Sequence, residues 1–544
     1  MKGNSDGLSG GIALSHKTEK LNLFGGYDFQ QRNLPKTKEK IKTTINNGTA
    51  TEIEMSTEVE EKWFNNQTIR AGFDYNLLPK TRISAEYIYG TQLEDKTKTN
   101  DIAKYTADTR FKSATQEIKP EYKPNNYHQL ITGLSHVFEK NQKLNAGFGY
   151  LTSKQEKLEK TTVYNVDNKG KWLSFQPKLE KKNEDVSKDE YSWDASISDV
   201  KLLSHTIKAG YSGKSETSSF VLINDKFNYK DTSWTSSESG KDNFSVKEVT
   251  QALFLSDEYK FSFLRVTAGV RYEFTQLTSF SGNESNEDSG NYGLFLPNLA
   301  ITANIDKTQY ITLNGGRRIR RPGFKDLNPY EEVVSTSQIK KGNPDLVPEK
   351  AWAFELGYLK NFEKFNVGAN LFYRDISDVI QKTLSENNEG IVTEQPQNTG
   401  HAWLAGAELM TSVNVFKFWE INASYSVFGS EITSGDYQGD ALNDQYKWSA
   451  KAINDFKLPF QTHLQFSVNA VGPKISGTKV ENTIWFADLG IEKELVKNGF
   501  FIFRMSDVFG SLTKEKTEYT DKSAKTEIET TPGQIFMAGL KYRF

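Results

Sequence analysis

Apolar and polar residues alternate with a period of two along much of this chain. The segment RVTAGVRYEF, residues 265–274, places its five apolar residues on one face and its charged residues, among them Arg271 and Glu273, on the other. The segments AWAFELGYL from Ala351 and KFNVGANLFYR from Lys364 repeat this pattern. Such alternation predicts β-strands with one apolar and one polar face.

The same pattern predicts 21 strands between residues 8 and 544, and two kinds of connection alternate between them. Short links such as LLPK, DKT and NFEK alternate with long, hydrophilic ones, which include residues 32–65, 93–126, 154–188, 217–247, 317–348 and 509–532. This asymmetry is typical of outer-membrane barrels, which have short periplasmic turns, long extracellular loops and no open sheet edge in lipid. We therefore predict an all-β fold, a transmembrane antiparallel β-barrel that forms a single domain over residues 1–544.

The strand count is odd, whereas bacterial single-chain barrels usually have an even number of strands. A periplasmic C-terminus would make the first detected strand run downward from the outside. We therefore expect about 22 strands, with one strand, and whatever preceded it, absent, merged or undetected near Met1.

Composition excludes several classes of protein. The formal net charge of -2 over 544 residues argues against a general nucleic-acid binder. There is no cysteine, and the six histidines show no ligand spacing, so we predict no metal site and no cofactor. No apolar run approaches the length of a membrane-spanning helix, and no N-terminal signal region is visible. No hydrolase, zinc-protease or phosphate-loop motif occurs, so we do not expect an enzyme.

The arginine-rich segment GGRRIRRPGFKDLNPY, residues 315–330, ends one predicted strand. The apolar residues of this strand, which precede the arginines, face the lipid. If the alternation continues, Arg318 and Arg320 face the lumen, and Arg317 and Arg321 face outward at the membrane rim. An arginine at the lipid midplane costs about 2–4 kcal/mol, so the cluster must lie at the extracellular end. Pro322 then removes a ladder donor and ends the strand.

Two interpretations of the lumen-facing arginines stay open. Arg318 and Arg320 could bind an anionic ligand through their planar guanidinium groups. Alternatively, they pair with lumen carboxylates such as Glu355 on the next strand. Trp234, which lies in a long connection, is a further candidate for contact with a ligand.

The arginine segment and the stretch GNPDLVPEKAWAFELGY after it resemble the characteristic segment of TonB-dependent receptor barrels of the outer membrane, in the form common in Bacteroidota. The residues that match the family pattern are Arg317, Arg318, Arg321, Pro322, Asp326, Leu327, Asn328, Pro329, Gly342, Asn343, Pro344, Leu346, Pro348 and Glu349. The segments LFYRDISDVI and RMSDVFG and the opening KGNSDGLSGGIAL also resemble the family. We interpret GNPDLVPE as a rigid entry into the next strand rather than as a ligand contact.

The resemblance implies a bacterial outer-membrane receptor and transporter for a nutrient such as an iron chelate, a cofactor, a glycan or a peptide. Receptors of this family have an N-terminal plug domain and a segment that engages TonB. We recognise neither in this sequence and expect a fragment, so the TonB complex is a partner only if a plug is supplied. The other expected partners are outer-membrane lipid, lipopolysaccharide, the barrel-assembly machinery and the unknown nutrient ligand; nucleic acid is not among them.

The last predicted strand, GQIFMAGLKYRF, alternates up to the terminal aromatic residue. In bacterial outer-membrane proteins such a strand carries the signal for barrel assembly, which here would include Tyr542 and Phe544. The alternative is a last strand and nothing more. Two other functions also stay open: a passive pore without a plug, and a surface adhesion or structural barrel whose lumen conducts nothing.

Overall fold

The computed structural model describes residues 6–46, 48–282, 286–335, 338–387, 391–434, 447–476, 479–520, 523–530 and 533–543. They form one sheet of 28 strands and a single one-turn helix, α1 (Phe324–Leu327). The strands are β1 (Gly7–Lys17), β2 (Leu21–Asn33), β3 (Lys36–Asn46), β4 (Thr49–Leu78), β5 (Thr81–Thr106), β6 (Phe111–Val137), β7 (Lys143–Val166), β8 (Lys178–Leu202), β9 (His205–Asn228), β10 (Ser233–Phe261), β11 (Leu264–Ser281), β12 (Asn286–Asp306), β13 (Gln309–Arg320), β14 (Glu332–Ser335), β15 (Gln338–Lys340), β16 (Glu349–Asn361), β17 (Phe365–Glu386), β18 (Val392–Phe416), β19 (Trp419–Ser434), β20 (Lys447–Leu458), β21 (Thr462–Val471), β22 (Lys474–Ser476), β23 (Lys479–Glu481), β24 (Ile484–Val496), β25 (Gly499–Ser506), β26 (Thr513–Thr520), β27 (Ser523–Thr530) and β28 (Ile535–Tyr542).

The predicted antiparallel β-barrel is confirmed. Twenty-one strands pair antiparallel with their neighbours in chain order, from the β1–β2 pair to the β25–β28 pair. The other seven, β3, β14, β15, β22, β23, β26 and β27, lie within long connections. In the part of the chain that the structure describes, no helix has the length and apolar character needed to cross a membrane.

The apolar face of each strand points outward. Ile311 and Leu313 of β13 are 37% and 44% exposed, and Leu356, directly opposite Leu313 on β16, is 44% exposed. Apolar side chains in this position face the hydrocarbon of the membrane, which explains their exposure in the isolated chain.

Five of the six long connections predicted as loops, among them 509–532 with β26 and β27, consist largely of strands, and this prediction was wrong. β4 has 30 residues and β10 has 29, whereas crossing a membrane takes about 9–11 residues. Residues 32–65, 93–126, 154–188 and 217–247 therefore lie largely in hairpins that continue the barrel wall outward. The polar residues of these hairpins still alternate with a period of two. Ion pairs between neighbouring strands, such as Lys96–Glu121 at 2.9 Å, stabilise the hairpins where water contacts both faces of the sheet.

The ring of strands closes above the membrane. Within the described residues, no ladder joins β1 to β28, but β27 pairs with β3 and β3 pairs with β4. Two ion pairs reinforce this closure: Lys36 to Glu529 at 2.7 Å and Lys38 to Glu527 at 3.3 Å. The further strand expected near Met1 stays a prediction.

Candidate functional site: the strap and the vestibule

Residues 321–348, which connect β13 to β16, form a segment that lies against the inner wall; we call it the strap. It contains α1, β14 and β15, and its described residues are 321–335 and 338–348. The strap shares a buried apolar cluster with β10, in which Leu327 and Leu346 pack with Phe244 and Val246. A barrel interior is normally polar, so this cluster fixes the strap at one place on the wall.

The first two arginines lie on opposite faces of β13, as predicted. Arg317 is directly opposite Trp352 of β16, and Arg318 is directly opposite Ala351. Trp352 is on the lipid-facing side and is 42% exposed, so Arg317 lies beside an aromatic residue of the outer face. Among the described residues, Arg318 has no carboxylate within ion-pair distance.

Arg320 forms an ion pair with the next strand, but with a different acid from the one expected. Its Nη2 donates to Glu349 Oε1 at 2.7 Å, whereas Glu355 lies opposite Asn314. The same Glu349 oxygen accepts the backbone N–H of Ile380 at 2.8 Å, and Glu349 is only 8% exposed. Glu349 therefore links β13, β16 and β17, which gives this residue of the family pattern a structural role.

Arg321 faces the lumen, so the prediction that it points the other way was wrong. Its Nη2 lies 2.7 Å from Glu273 Oε2 and its Nε donates to the Tyr292 hydroxyl at 3.2 Å. β13 ends at Arg320, and beyond that point the chain leaves the sheet, so strand alternation no longer determines the direction of the side chain. Burial acts to lower the pKa of Arg321, but the hydrogen bond to Glu273 and the interactions with Tyr292 and Glu248 together outweigh it, and the pKa is raised.

Asn328, in the family turn Asp326–Leu327–Asn328–Pro329, links the strap to β10. Its Nδ2 donates to Asp242 Oδ2 at 2.5 Å, and its Oδ1 accepts the backbone N–H of Tyr330 at 3.1 Å. Burial raises the pKa of Asp242, although the hydrogen bond from Asn328 acts in the opposite direction. Asn328 therefore forms the turn through its own side chain, and the buried carboxyl group of Asp242 holds the turn against the wall.

The second half of the family pattern folds back on this turn. Gly342 N donates to Asn328 O at 2.7 Å, and Asn343 N donates to Asp326 O at 2.6 Å. A Cβ added to Gly342 would lie 2.5 Å from Asn328 O, so only glycine fits this close approach. Asn343 Nδ2 also donates to the carbonyl of Pro396 on β18 at 3.2 Å.

Two prolines and Asn398 guide the strap into β16. Pro344 and Pro348 flank buried Leu346, and Pro348 itself is fully buried. Asn398 of β18 accepts the backbone N–H of Val347 at 2.9 Å and donates to its carbonyl at 3.0 Å. These contacts agree with a rigid entry from the strap into β16.

A cavity of about 250 Å³, the vestibule, lies between the strap and the inner wall. Its apolar part comes from Phe220, Leu222 and Phe324. Its charged lining contains equal numbers of lysines and carboxylates: Lys182, Lys325, Lys340, Lys341 and Lys382, with Glu184, Asp242, Asp326, Glu332 and Glu394.

Most lysines of the vestibule are already paired. Lys382 Nζ lies 2.7 Å from Glu394, and Lys182 Nζ lies 3.0 Å from Glu184. Lys325 is the exception among the described lining residues: its Nζ lies 5.9 Å from the centre of the Phe220 ring, and no carboxylate is within ion-pair distance. Burial acts to raise the pKa of Glu184, and Lys325, from a longer distance, is one of the lysines that together lower it. The ammonium group of Lys325 nevertheless has no direct carboxylate contact and is the one in this lining that an anionic group could pair with.

Trp234 is not near the arginines. It lies opposite Phe227 on β9, and the two ring centres are 5.2 Å apart. Lys181 Nζ lies 3.9 Å from the centre of the Trp234 ring. Phe227 alternates with Leu222, which lines the vestibule, so Trp234 lies on the outer side of the wall. Contact of Trp234 with a ligand stays a prediction.

The candidate assembly signal is only partly described. Tyr542 pairs with Gly499 at the periplasmic end of β28 and is 56% exposed. Phe544 lies outside the described residues. Among the described residues, no group of three or more His, Asp or Glu side chains is arranged to hold a metal ion.

Reasoning from the sequence missed Lys325 within the strap, and it missed Asp242 and Glu273 as partners of the strap on the wall. Asp242 lies in a segment that was predicted to be a loop, and Glu273 is one of many lumen-facing residues of the wall. A sequence signal for the charged wall did exist: in KTKEKIK and TEIEMSTEVEEK, lysines and glutamates alternate with threonine and aliphatic residues.

A model of the outer membrane protein beta-barrel family matches residues 136–542, which is more than half of the chain. The chain belongs to this family. As a member of the outer membrane protein beta-barrel family, it is a protein of the bacterial outer membrane, as the strand pattern predicted.

Named relatives agree with this family. The chain is 22% identical over 421 residues to the "Iron-regulated outer membrane virulence protein" of Vibrio cholerae, with 72% of the chain and 58% of that protein covered. It therefore spans less than two thirds of the length of this curated relative.

Solved structures of other outer-membrane proteins share the fold. The ferric-catecholate import receptor Fiu of Escherichia coli K12 superposes with a TM-score of 0.59 at 11% identity, covering 98% of this chain and 82% of the receptor. The siderophore receptor PiuA of Acinetobacter baumannii gives a TM-score of 0.58 at 12% identity, with the same coverage of 98% and 82%. Both solved structures are named as receptors, which is compatible with the expectation that the chain is not an enzyme.

Proposed function

We propose that this chain forms the membrane barrel of a TonB-dependent receptor that takes up an iron chelate. The observation that carries the proposal is the match over 421 residues to an iron-regulated outer-membrane protein. The shared fold with receptors named for ferric catecholates and siderophores supports it. These relatives favour an iron chelate over the glycans, peptides and other cofactors that the family resemblance leaves open.

The vestibule is the proposed site of ligand capture. Lys325 lines the vestibule and Arg318 lies three residues before the strap; neither has an ion-pair partner among the described residues, and Phe220 and Leu222 add an apolar surface to the vestibule. Iron chelates that carry carboxylate or catecholate oxygens are anionic, so these two cations favour their entry. Arg320 and Arg321 hold the strap in place, because their guanidinium groups are taken up by Glu349 and Glu273.

Energised release of the ligand through TonB needs a plug and a coupling segment. The proposed receptor includes both in addition to the barrel. The described residues supply the wall, the strap and the vestibule. Contact with outer-membrane lipid, lipopolysaccharide and the barrel-assembly machinery stays a prediction.

The test is uptake of ⁵⁵Fe by cells that lack the gene and are complemented with its complete reading frame. We expect energy-dependent uptake from ferric tris-catecholate, and loss of uptake when a protonophore collapses the proton gradient. Uptake that survives the protonophore would favour the passive pore, and so would a large steady conductance of the purified barrel in planar bilayers. Absence of uptake of catecholate, hydroxamate and carboxylate chelates would overturn the iron proposal.

The double variant Arg318→Ala, Lys325→Ala tests the capture site. We expect a decrease in ferric tris-catecholate binding of roughly tenfold, because two charge-assisted contacts of about 0.7 kcal/mol or more each are lost. Arg110→Ala is the matched control, since Arg110 is an exposed extracellular arginine that pairs with Asp108 away from the vestibule. An equal decrease in both variants would indicate a general surface-charge effect and contradict a specific site.

A further inference from the structure

Arg317 is the exception among the arginines of the barrel wall. It shares strand parity with Ile311 and Leu313, which face the lipid. The other arginines of the described strands, from Arg32 on β2 to Arg504 on β25, alternate onto the lumen side. Charged residues on the lipid face of a barrel are destabilising at the depth of the hydrocarbon. The outward direction of Arg317 therefore requires a height at which its guanidinium group meets polar partners.

Two pairs of stacked aromatic residues indicate that height. Phe362 and Phe365, with ring centres 4.3 Å apart, lie at the periplasmic turn below β16, and Trp352 and Phe354, with ring centres 6.2 Å apart, lie near its other end. Aromatic girdles of this kind mark the two edges of the apolar band, which is about 25 Å tall. Trp352 is nine residues above the periplasmic end of β16, which gives roughly 23 Å at a strand tilt of about 40°. Arg317, directly opposite Trp352, therefore lies at the outer edge of the hydrocarbon.

Within the part of the chain that the structure describes, Arg317 has no counter-ion. Its guanidinium group forms no ion pair and no side-chain hydrogen bond with these residues. Two acids on the outer face of the next strands have other partners: Asp378 Oδ2 lies 2.8 Å from Lys350 Nζ, and Asp375 Oδ1 lies 2.8 Å from His401 Nε2. The guanidinium group of Arg317 is therefore open to an anion from the surrounding membrane.

An apolar groove of about 670 Å³ lies on the outer face between β8 and β12, and β12 is the neighbour of β13. Its lining includes Leu255 and Phe295, which are exposed, and Ala195 and Ala209, whose small side chains leave it open. Leu255 is six residues above the periplasmic end of β10 and Phe295 is eleven above that of β12, which gives roughly 16 Å and 29 Å. The groove therefore rises from the middle of the membrane to its outer edge, as an acyl chain of the outer leaflet does.

We propose that Arg317 binds a phosphate group of lipopolysaccharide and that an acyl chain of the same molecule lies in the groove. Lipopolysaccharide forms the outer leaflet of a bacterial outer membrane, and the phosphate groups of its lipid A lie at the membrane surface, at the height of Arg317. A planar guanidinium group binds phosphate through two parallel hydrogen bonds. The proposal does not depend on the nature of the transported ligand.

Retention of lipopolysaccharide by the purified full chain tests this site. The protein is extracted from outer membranes in a mild detergent, and the bound lipopolysaccharide is quantified through its 3-hydroxy fatty acids. We expect Arg317→Gln to retain about fivefold less than the parent, because the bidentate contact with phosphate is lost. Arg318→Gln is the matched control: it removes the same charge one residue further along, on the lumen side, and should retain as much as the parent. A heat-modifiable gel shift checks that both barrels are folded.

Equal losses in Arg317→Gln and Arg318→Gln would indicate a general effect of charge and overturn the proposal. Two lipid probes then identify the anion without any substitution. We expect the parent to bind lipid A about fivefold more tightly than lipid A from which the phosphate groups have been removed, and more tightly than phosphatidylglycerol. Equal affinity for the dephosphorylated form would overturn the proposal. Equal affinity for phosphatidylglycerol would also overturn it, since the occupant would then be a phospholipid.

The groove has a test of its own. Ala209→Leu fills part of the groove without changing the charge, and we expect it to lower the retention of lipopolysaccharide about twofold. Ala85→Leu is the matched control, because Ala85 is a lipid-facing alanine of β5 that, like Ala209 on β9, lies four residues above the periplasmic end of its strand. Equal retention by these two variants would contradict the position assigned to the acyl chain.

Discussion

Arg321 Nη2 lies 2.7 Å from Glu273 Oε2, so the first residue after β13 is paired with a carboxylate on β11. The side chain of Glu273 is only 9% exposed and that of Arg321 is 27% exposed. This pair holds the strap at the point where it leaves the sheet, and it shows that the arginine segment serves two purposes: two of its members fasten the strap, and Arg318 stays available.

Removing Arg321 should release the strap. Arg321→Ala removes one of the two arginines that bind Glu273, while Arg271 stays 2.6 Å from its Oε1, so we expect a loss of about 1.5 kcal/mol. We expect a lower urea midpoint for the purified barrel and faster proteolysis within residues 321–348. Arg318→Ala is the control, and we expect its stability to stay within about 0.5 kcal/mol of the parent. Equal effects of the two substitutions would contradict the assigned role of Arg321.

A side chain at Gly342 should distort the family turn. Gly342→Ala brings a Cβ within 2.5 Å of Asn328 O and 2.6 Å of Asp326 O, and these are backbone atoms that cannot move aside cheaply. We expect a loss of about 1–3 kcal/mol, measured by urea unfolding.

Gly323→Ala is the matched control for this substitution. Its added Cβ would meet only the Asp326 side chain, at 3.0 Å, and Gly323 has an ordinary φ of −72°. Similar losses from the two substitutions would show that the close approach at Gly342 is not what the turn requires.

The closure between β3 and β27 should weaken in acid. Burial acts to raise the pKa of Glu529, but the hydrogen bonds and the positive charges of Lys36 and Lys38 together outweigh it, so its pKa is lowered below 4.5. A carboxylate with a lowered pKa contributes stability that is present above its unfolded pKa and is lost as pH falls through its folded pKa. Hydrogen exchange of residues 36–46 should therefore accelerate below about pH 4.5 relative to the intrinsic rate.

Glu529→Gln with Glu527→Gln removes the groups that titrate in this closure. In that double variant we expect faster exchange at pH 7 and a weaker dependence on pH. Protection in the parent that does not change between pH 7 and pH 3 would show that the ion pairs do not stabilise the closure.

The contact between Asn328 and Asp242 should have the opposite dependence on pH. Burial raises the pKa of Asp242, so its contribution to stability is fully present below its ordinary pKa of 3.8 and is lost as pH rises through the folded value. Asp242→Asn keeps an oxygen that accepts from Asn328 and removes the buried charge. We expect this variant to protect the strap from proteolysis at pH 7, and Asp242→Ala, which loses the acceptor, to expose it. Faster proteolysis of Asp242→Asn than of the parent would contradict this assignment.

Strand alternation in the sequence was sufficient to predict the barrel, because each membrane-crossing strand must place apolar residues toward lipid and polar residues toward the lumen. The same rule placed Arg318 and Arg320 on the lumen side and Arg317 on the outer side, in agreement with their partners on β16. It failed for Arg321, whose direction depends on how the chain leaves the sheet.

The sequence by itself determined the fold class, the family segment and the point where Pro322 ends a strand, since these follow from local periodicity and backbone chemistry. Only the tertiary structure decided which acids the arginines meet, because Glu273 lies 48 residues from Arg321 along the chain and the two come together through the barrel. The tertiary structure also decided that the long polar segments continue the wall. Ion pairs between neighbouring strands stabilise these segments, and the hydropathy of the sequence does not reveal which residues pair.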